Sequence, residues 1–361
     1  MIVDLEHGNL RVLVTGGAGF IGGFLIRRLL LRTNANVFNL DKLNYASDLS
    51  RINDLESHNR HTLLKVDLNN LQDTVSAIKR VDPDIIFHLA AESHVDRSID
   101  NPTHFIHSNI LGTFNLLESA KQHYKNMSPD RKKRFRYLHV STDEVFGSLG
   151  KEGMFSEETS YSPRSPYSAS KAASDHLTSA WFHTYKLPVI ITNCSNNFGP
   201  YQFPEKLIPL VIQKAIEKSK IPIYGNGDNI RDWIYVEDHV DALILVILQG
   251  KVGSNYCIGG NNEKTNLEMV NCICELLDEK LPSRESYKKQ IEFVKDRPGH
   301  DKRYAIDTSL IRTNLGWEQK NDFTKSLSNT IDWYLNNQEW CRKIQKKSNY
   351  NGQRIGIGKI K

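Results

Sequence analysis

The sequence predicts an α/β protein: a doubly wound parallel sheet followed by a smaller α/β domain toward the C-terminal end. Three observations point to this fold class. Short apolar runs rich in β-branched residues alternate with stretches of helical spacing through the first half of the chain. The first of these runs ends in a glycine-rich turn, and from Asn193 onward the segments become shorter and contain more proline and glycine. Such alternation is typical of right-handed βαβ units that cover both faces of a parallel sheet.

The first predicted unit is a strand, a glycine turn and a helix. The strand covers residues 10–14 and leads into the turn Thr15-Gly16-Gly17-Ala18-Gly19-Phe20-Ile21-Gly22, after which apolar residues recur at helical spacing. Gly16, Gly19 and Gly22 would allow a tight turn, a close approach of backbone N–H groups to a pyrophosphate, and close packing of the helix on its strand. Glycines also serve plain turns, so the pattern gains its weight from the strand and helix around it. It predicts a Rossmann-type dinucleotide site.

The next two predicted strands end in acidic residues that suit such a site. The second strand, residues 36–40, ends at Asp41, which follows Gly22 by 19 residues. A carboxylate there would bind ribose hydroxyls and repel a 2′-phosphate, which favours NAD, although the adjacent Lys42 leaves NADP open. The third strand, residues 62–66, precedes Asp67 and Leu68, where an adenine edge would lie. A simple strand-end cap is the alternative for Asp67.

Three further strands are predicted at residues 85–89, 136–140 and 189–192, with helical stretches between most of the strands. A Tyr-x-x-x-Lys pair follows the second of the three, with Tyr167 and Lys171 on one face of a helix. An ammonium beside a tyrosine stabilises the phenolate and would lower the tyrosine pKa toward neutrality. The tyrosine could then remove a proton from a sugar hydroxyl that Thr142 holds, while NAD takes the hydride.

Composition excludes several other classes of protein. The chain has 361 residues, room for about two domains, with 39% apolar and 25% charged residues. No apolar run approaches the roughly 18 residues that cross a bilayer, and the first strand begins at once, so we expect a cytoplasmic protein. Five cysteines are too few for a disulfide framework, so reduced thiols and no metal site are expected.

The positive charge is concentrated in the last residues. Residues 341–361 contain seven Arg or Lys and no Asp or Glu, whereas the preceding residues carry 40 basic and 42 acidic side chains. The body of the protein is therefore no nucleic-acid platform. Residues 341–361 are predicted to be a basic, disordered tail, with a polyanion-binding arm as the alternative.

Taken together, these residues resemble the extended short-chain dehydrogenase/reductase family that acts on nucleotide sugars, and within it the 4,6-dehydratases. The resemblance runs from about Arg11 to Tyr334. It rests on long blocks that are more specific than the glycine pattern, at residues 89–98, 141–145, 195–197, 204–209, 231–233 and 297–301. The segment after Gln345 has no counterpart in this resemblance.

The resemblance implies a reaction and the groups that perform it. Its key feature is Asp143-Glu144, because an epimerase of this family needs only the tyrosine and NAD. By resemblance Glu144 is the base at C5 and Asp143 the acid at C6, after C4 has been oxidised to a ketone. The hydride then returns to C6, so NAD stays bound. The implied reaction converts dTDP-glucose to dTDP-4-keto-6-deoxyglucose, with a 4-epimerase or a dehydratase for UDP- or GDP-sugars left open.

The resemblance also implies binding residues, a domain division and an assembly. Residues 1–193 would bind NAD, with a returning segment near 230–260, and residues 194–340 would mainly bind the nucleotide sugar. A homodimer through helices flanking the sheet is expected. The implied cofactor residues are Gly16, Gly19, Phe20, Ile21, Gly22, Asp41, Lys42, Asn44, Asp67, Leu68, Leu89, Ala90, Ala91, Ser108, Tyr167, Lys171 and Asn197. The implied substrate residues are Ser93, Thr142, Asn196, Lys206, Leu207, Pro222, Ile223, Tyr224, Arg231, Asn266, Arg297 and His300.

Overall fold

The computed structural model of the chain describes residues 10–52, 59–348, 350, 352, 355 and 356. Within these residues, seven parallel strands form a central sheet in the order β10-β6-β5-β4-β1-β2-β3. The sheet confirms the predicted fold class. Its strands are β1 (Arg11–Thr15), β2 (Asn36–Asp41), β3 (His61–Lys65), β4 (Ile85–His88), β5 (Arg136–Thr142), β6 (Val189–Cys194) and β10 (Asn255–Ile258).

Helices cover both faces of this sheet, because alternate side chains of each buried strand point to opposite faces. One face packs through Val12 and Val14 in a core with the first helix, and the other packs through Leu13. The helices up to β6 are α1 (Phe20–Arg32), α2 (Leu71–Val81), α3 (Val95–Asp100), α4 (Pro102–Phe105), α5 (Gly112–Asn126), α6 (Pro129–Arg134) and α7 (Pro166–Tyr185), with a π-helical stretch at Ile106–Leu111.

The sheet reverses its strand order between β1 and β4. The chain runs from β1 outward through β2 and β3, and then returns to place β4 on the other side of β1. Loops at the carboxyl ends of these strands diverge at such a point and leave a crevice.

The second half of the chain supplies a smaller layer over the carboxyl ends of the strands. Within the described residues, β7 (Asn196–Phe198), β9 (Ile230–Tyr235) and β11 (Glu263–Thr265) form one small sheet, and β8 (Ile221–Tyr224) pairs with β12 (Ile291–Val294). A separate core packs around these strands. The remaining helices are α8 (Leu207–Ile216), α9 (Val236–Gln249), α10 (Asn266–Lys280), α11 (Ser309–Leu315), α12 (Phe323–Asn336) and α13 (Gln338–Ser348).

One segment returns to the large sheet after the chain has entered the smaller layer. Strand β10 pairs in parallel with β6, and α9 packs its buried face into the core that contains α1. Strands β5 and β6 are also each two residues longer than predicted. Their polar ends pair in register, Ser141 with Asn193 and Thr142 with Cys194, so apolar runs alone underestimate both strands.

The prediction of a disordered tail over residues 341–361 is wrong for its first part. Residues 341–348 belong to α13, where Cys341 and Ile344 are buried. Tertiary contacts of these two apolar residues hold the helix despite its basic composition. Of residues 349–361, only 350, 352, 355 and 356 lie within the described structure. Along the described chain, each helix is too short or too polar to span a bilayer.

Candidate active site

A deep cleft lies at the carboxyl ends of the central strands, where the strand order reverses. All five predicted catalytic residues line it: Thr142, Asp143, Glu144, Tyr167 and Lys171. Every predicted cofactor residue lines it as well: Gly16, Gly19, Phe20, Ile21, Gly22, Asp41, Lys42, Asn44, Asp67, Leu68, Leu89, Ala90, Ala91, Ser108 and Asn197, with Tyr167 and Lys171 again. Residues separated by up to 181 positions in the sequence therefore share one cavity wall.

The glycine turn forms the floor of the cleft. Gly16 has φ +72°, and a Cβ placed there would come within 2.7 Å of the backbone nitrogen of Ala90. A Cβ on Gly22 would lie 2.3 Å from the carbonyl oxygen of Gly16. Both contacts are with backbone, so neither position tolerates a side chain without moving the turn. The N-terminus of α1 thereby stays open toward the cleft, as an anion such as a pyrophosphate requires.

Asp41 ties the loop after β2 to this turn. Its Oδ2 accepts a hydrogen bond from the backbone N–H of Ala18 (3.0 Å). Its Oδ1 accepts from the backbone N–H of Leu43 (2.8 Å) and from the Ser47 hydroxyl (2.9 Å). These donors fix the carboxylate at the position expected for a ribose-binding group.

Lys42 is neutralised by a residue that the sequence analysis did not single out. Its Nζ donates to Glu92 Oε1 and to the Ser108 hydroxyl, both at 2.9 Å. Asn44 donates to the same Glu92 oxygen (3.1 Å). Because Glu92 balances its charge, Lys42 offers a 2′-phosphate little attraction, which weakens the case for NADP that its sequence position left open.

The catalytic end of the cleft is built where β5 stops. Thr142 caps a 3-10 turn over Asp143–Phe146: its hydroxyl accepts from the Glu144 N–H (3.3 Å) and donates to Asp143 Oδ1 (3.2 Å). Helix α7 starts with a capping box between Ser165 and Ser168. Tyr167, in the first turn of that helix, lines the same cleft as the two carboxyls.

The two neighbouring carboxyls have different surroundings. Burial raises the pKa of Asp143 well above its usual value, and the charges of Glu144 and Asp232 raise it further. Burial also raises the pKa of Glu144, but Arg297, Arg231 and Lys206 oppose the increase. Asp143 is therefore the better proton donor of the pair and Glu144 the better proton acceptor.

The tyrosine and the lysine differ from the simple expectation. Burial raises the pKa of Tyr167 well above its usual value, and the negative charge of Glu144 adds to the increase. Burial lowers the pKa of Lys171, whose Nζ donates to the carbonyl of Val140 (2.9 Å). In these surroundings the pKa of Tyr167 is raised and not lowered as predicted, because burial of the phenol is the largest influence on it.

The predicted substrate residues fall into two groups. Ser93, Thr142, Asn196 and Lys206 line the cleft. The others lie outside its lining: Leu207, Pro222, Ile223, Tyr224, Arg231, Asn266, Arg297 and His300. In this second group, Arg297 donates to Asp96 Oδ1 (2.8 Å) and Tyr224 to Asp96 Oδ2 (2.9 Å), while Arg231 donates to the carbonyl oxygens of Ile230 and Asp301.

Some residues on the cleft wall were not predicted. Glu92, Ser195 and Glu205 line it and sit inside sequence blocks that carry the family resemblance, so that signal was available. Arg51 and Phe203 line it without any such sequence signal. Their positions depend on how the loop after β2 and the loop after β7 fold over the cleft.

Unsatisfied polar atoms in the cleft fit a bound polar ligand. Among the described residues, Asp143 Oδ2, Asn196 Oδ1 and Arg51 Nε are buried without a hydrogen-bond partner. Buried polar atoms without partners are rare in folded proteins, so each of these atoms calls for a ligand or a water molecule. The glycine turn, Asp41 and these atoms together suit a dinucleotide and a polyhydroxylated substrate lying along one cleft.

Similarities to known proteins extend over the whole folded chain. A family model described as GDP-mannose 4,6 dehydratase matches residues 13–330. A probable dTDP-glucose 4,6-dehydratase of Sinorhizobium fredii is 50% identical over 348 residues, covering 96% of this chain and 99% of the relative. The dTDP-glucose 4,6-dehydratase of Neisseria meningitidis serogroup B is 48% identical over 354 residues, covering 97% and 99%. The crystal structure of the Bacillus anthracis dTDP-glucose 4,6-dehydratase in complex with NAD matches with a TM-score of 0.82 at 42% identity, covering 93% and 99%.

The doubly wound sheet, the glycine turn and the pair Tyr167 and Lys171 define a nucleotide-sugar enzyme of the extended short-chain dehydrogenase/reductase class. The family model and the individual relatives share a 4,6-dehydratase reaction and differ in the nucleotide they name. The chain belongs to the dTDP-glucose 4,6-dehydratase family, which confirms the resemblance seen in the sequence. The 97% coverage by the Neisseria relative exceeds what residues 1–345 could supply, so part of the segment after Gln345 does have a counterpart in that relative.

Proposed function

We propose that this protein catalyses the NAD-dependent dehydration of dTDP-glucose to dTDP-4-keto-6-deoxyglucose. The observation that carries the proposal is the pair Asp143 and Glu144, which line one cleft with Tyr167 and have unlike electrostatic surroundings. Epimerisation at C4 needs the tyrosine and the cofactor alone. Elimination of water needs an additional acid and an additional base, and this pair supplies both.

Each chain residue has a distinct task in the proposed reaction. NAD, when bound, supplies the hydride acceptor for oxidation at C4 and later the hydride for C6. Thr142 holds the C4 hydroxyl, and Tyr167 takes its proton as a phenolate, a form that burial opposes and the ammonium of Lys171 favours. Glu144 removes the C5 proton, which the C4 ketone makes acidic, and Asp143 protonates the departing C6 hydroxyl. The raised pKa of Asp143 keeps its carboxyl protonated, and the cations near Glu144 favour the ionised form of Glu144.

The domain division follows the same proposal. We assign residues 1–193, with a returning segment near 230–260, to cofactor binding and residues 194–340 mainly to the nucleotide sugar. The cleft residues Ser93, Asn196 and Lys206 would hold the sugar and its phosphates. The predicted residues outside the cleft lining would hold the nucleotide, with Arg231 and Arg297 near its pyrophosphate because guanidinium groups bind phosphate oxygens in pairs.

The test is incubation of purified protein with dTDP-glucose, with and without added NAD, followed by mass spectrometry of the nucleotide sugar. We expect loss of one water and no net NADH. An unchanged mass with conversion of glucose to galactose would instead identify a 4-epimerase. Faster turnover of UDP- or GDP-glucose than of dTDP-glucose would contradict the proposed base selectivity. The comparison with UDP-glucose is the sensitive one, because a thymine methyl contributes only about 1–3 kcal/mol to discrimination.

We further propose a homodimer in the cytoplasm. Support for the dimer comes from exposed apolar side chains around the π-helical stretch and the two helices beside it, namely Ile106, Leu111, Phe114 and Tyr185. Such a group of large apolar side chains on one surface favours burial by a second copy. Five free cysteines, four of them buried, suit a compartment that keeps thiols reduced.

A further inference from the structure

The C-terminal strap, defined as α13 together with Tyr350, lies across the loop that follows β2, residues 42–52. Trp340 Nε1 donates to Asp48 Oδ2 (2.5 Å) and to the Ser50 hydroxyl (3.1 Å). Lys347 Nζ donates to the carbonyl oxygen of Ser47 (2.6 Å). The strap therefore holds this loop between Ser47 and Ser50.

An apolar contact lies between these hydrogen bonds. Ile344 and Tyr350 are 4% exposed and pack with Phe203, and Tyr45 and Ala46 are packed against the same cluster. Tyr45, Ala46 and Phe203 also line the cofactor cleft. The strap is thus the outer layer of a wall whose inner layer faces the cleft.

A single residue, Ser47, connects the strap to the carboxylate of Asp41, which is expected to bind ribose. Lys347 bonds the backbone of Ser47, and the hydroxyl of Ser47 donates to Asp41 Oδ1 (2.9 Å). A shift of Ser47 would remove a donor from Asp41 at the same time.

The other side of the strap is fixed to the smaller layer. Gln213 of α8 donates to Cys341 Sγ (3.3 Å), and the Trp340 ring packs against Trp333 of α12 with centroids 5.1 Å apart. The strap consequently links the loop after β2 to α8 and α12 of the smaller layer.

We propose that the C-terminal strap is a clamp that retains the cofactor between turnovers, with Trp340 and Lys347 as its positioning residues. The inference rests on the proposed function, in which NAD is regenerated in each cycle, so that turnover does not require its release. Opening of the wall formed by residues 44–51 is the step that would release it, and loops of this kind open most easily where few contacts hold them. The strap supplies contacts from a separate element and raises the cost of that opening.

The test compares bound NAD in matched variants purified as holoenzyme. Lys347→Met removes one strap hydrogen bond, and the double variant Trp340→Phe/Lys347→Met removes the indole donor as well while keeping an aromatic ring. The control is Lys343→Met on the same helix, because Lys343 is 76% exposed and forms an ion pair with Glu339 of that helix. NAD remaining on the protein is measured over time after dilution, without any sugar present.

We expect the double variant to lose NAD about tenfold faster than the control and the single variant about threefold faster, since each lost hydrogen bond weakens the closed state modestly. Turnover at saturating NAD should change less than twofold, and hydrogen exchange of residues 42–52 should accelerate. If the double variant has a lowered Tm, the test rests on the rate of NAD loss from Lys347→Met alone. Equal NAD loss from Lys347→Met and Lys343→Met would overturn the clamp. A wild-type protein that retains NAD but leaves dTDP-glucose unchanged would overturn the proposed function and leave the clamp standing.

Discussion

Asp143 and Glu144 are neighbours in sequence but are unequal as acids. Asp143 lies behind the Thr142 hydroxyl with two further carboxylates near it, whereas Glu144 faces three cationic side chains. The dipeptide alone predicts a pair of carboxyls. Their division into acid and base depends on residues up to 153 positions later in the chain, which a reading of local sequence cannot supply.

Replacing Glu144 by Gln should stop water elimination. The amide cannot accept the C5 proton, and loss of a positioned base typically costs about 10²–10⁴-fold in rate. Turnover of dTDP-glucose, followed by mass spectrometry, should fall accordingly, while NAD binding stays unchanged. A matched control is Glu237→Gln, which removes a surface ion pair with Arg28 and no cleft residue. Turnover within twofold of wild type in Glu144→Gln would exclude the role as base.

Replacing Asp143 by Asn should inactivate the enzyme and stabilise the fold at high pH. The folded-state pKa of Asp143 is raised, so the protein gains from the neutral carboxyl at low pH and loses that gain as the pH rises through the raised pKa. Asn stays neutral throughout. We expect the Tm of the variant to exceed that of wild type by about 2–4 °C at pH 8 and by less at pH 5. A difference that is constant with pH, or reversed, would contradict the burial of this charge.

At the scale of elements, the N-terminus of α7 positions Tyr167, the proposed catalytic tyrosine. Ser165 and Ser168 form a capping box in which the backbone N–H of each donates to the hydroxyl of the other, both at 3.0 Å. Ser165 precedes Tyr167 by two residues and Ser168 follows it directly. Helix α10 begins with a similar box between Thr265 and Glu268, away from the cleft lining. The chain thus contains the same device beside the proposed catalytic tyrosine and at a helix outside the cleft lining.

Ser165→Ala and Thr265→Ala should therefore separate stability from positioning. Each removes one N-cap and should lower the free energy of unfolding by about 1 kcal/mol, measured by urea denaturation. Only Ser165→Ala should also reduce kcat, because the first turn of α7 carries Tyr167. Equal kcat values in the two variants would show that the cap has no influence on the tyrosine.

The elements differ in how well the sequence predicts them. Strands β1, β2 and β4 are apolar runs that are buried on both faces, and each was predicted to within two residues. Helix α13 was missed because its composition is basic and only two of its side chains, Cys341 and Ile344, are buried. Their partners, such as Gln213 and Phe203, lie more than 120 positions away in the chain. Local sequence patterns therefore predict an element whose own residues show strand or helix spacing. They fail where contacts with residues far away in the chain determine whether the element forms.

At the scale of the whole molecule, the proposed dimer makes the apolar surface around Leu111 an interface. Leu111→Lys should dissociate the dimer, because burying an unpaired ammonium between two apolar faces is costly. Light scattering at micromolar concentration should give the mass of one chain for this variant and of two chains for wild type. Phe293→Lys is the control, since Phe293 is 55% exposed on β12, outside this surface. A wild-type monomer under these conditions would refute the dimer.

The late return of the chain to the large sheet also constrains how the protein is made. Strand β10 pairs with the outer edge of β6, and its first residue comes 61 positions after the last residue of β6. A nascent chain released only as far as β6 therefore exposes a strand with one open edge, a surface that recruits other chains. Synthesis at roughly 5–20 residues per second leaves that edge uncovered for several seconds. The nascent enzyme is thus most exposed to aggregation and chaperone capture in this interval, and a fragment ending after β6 lacks the strand that would close its sheet.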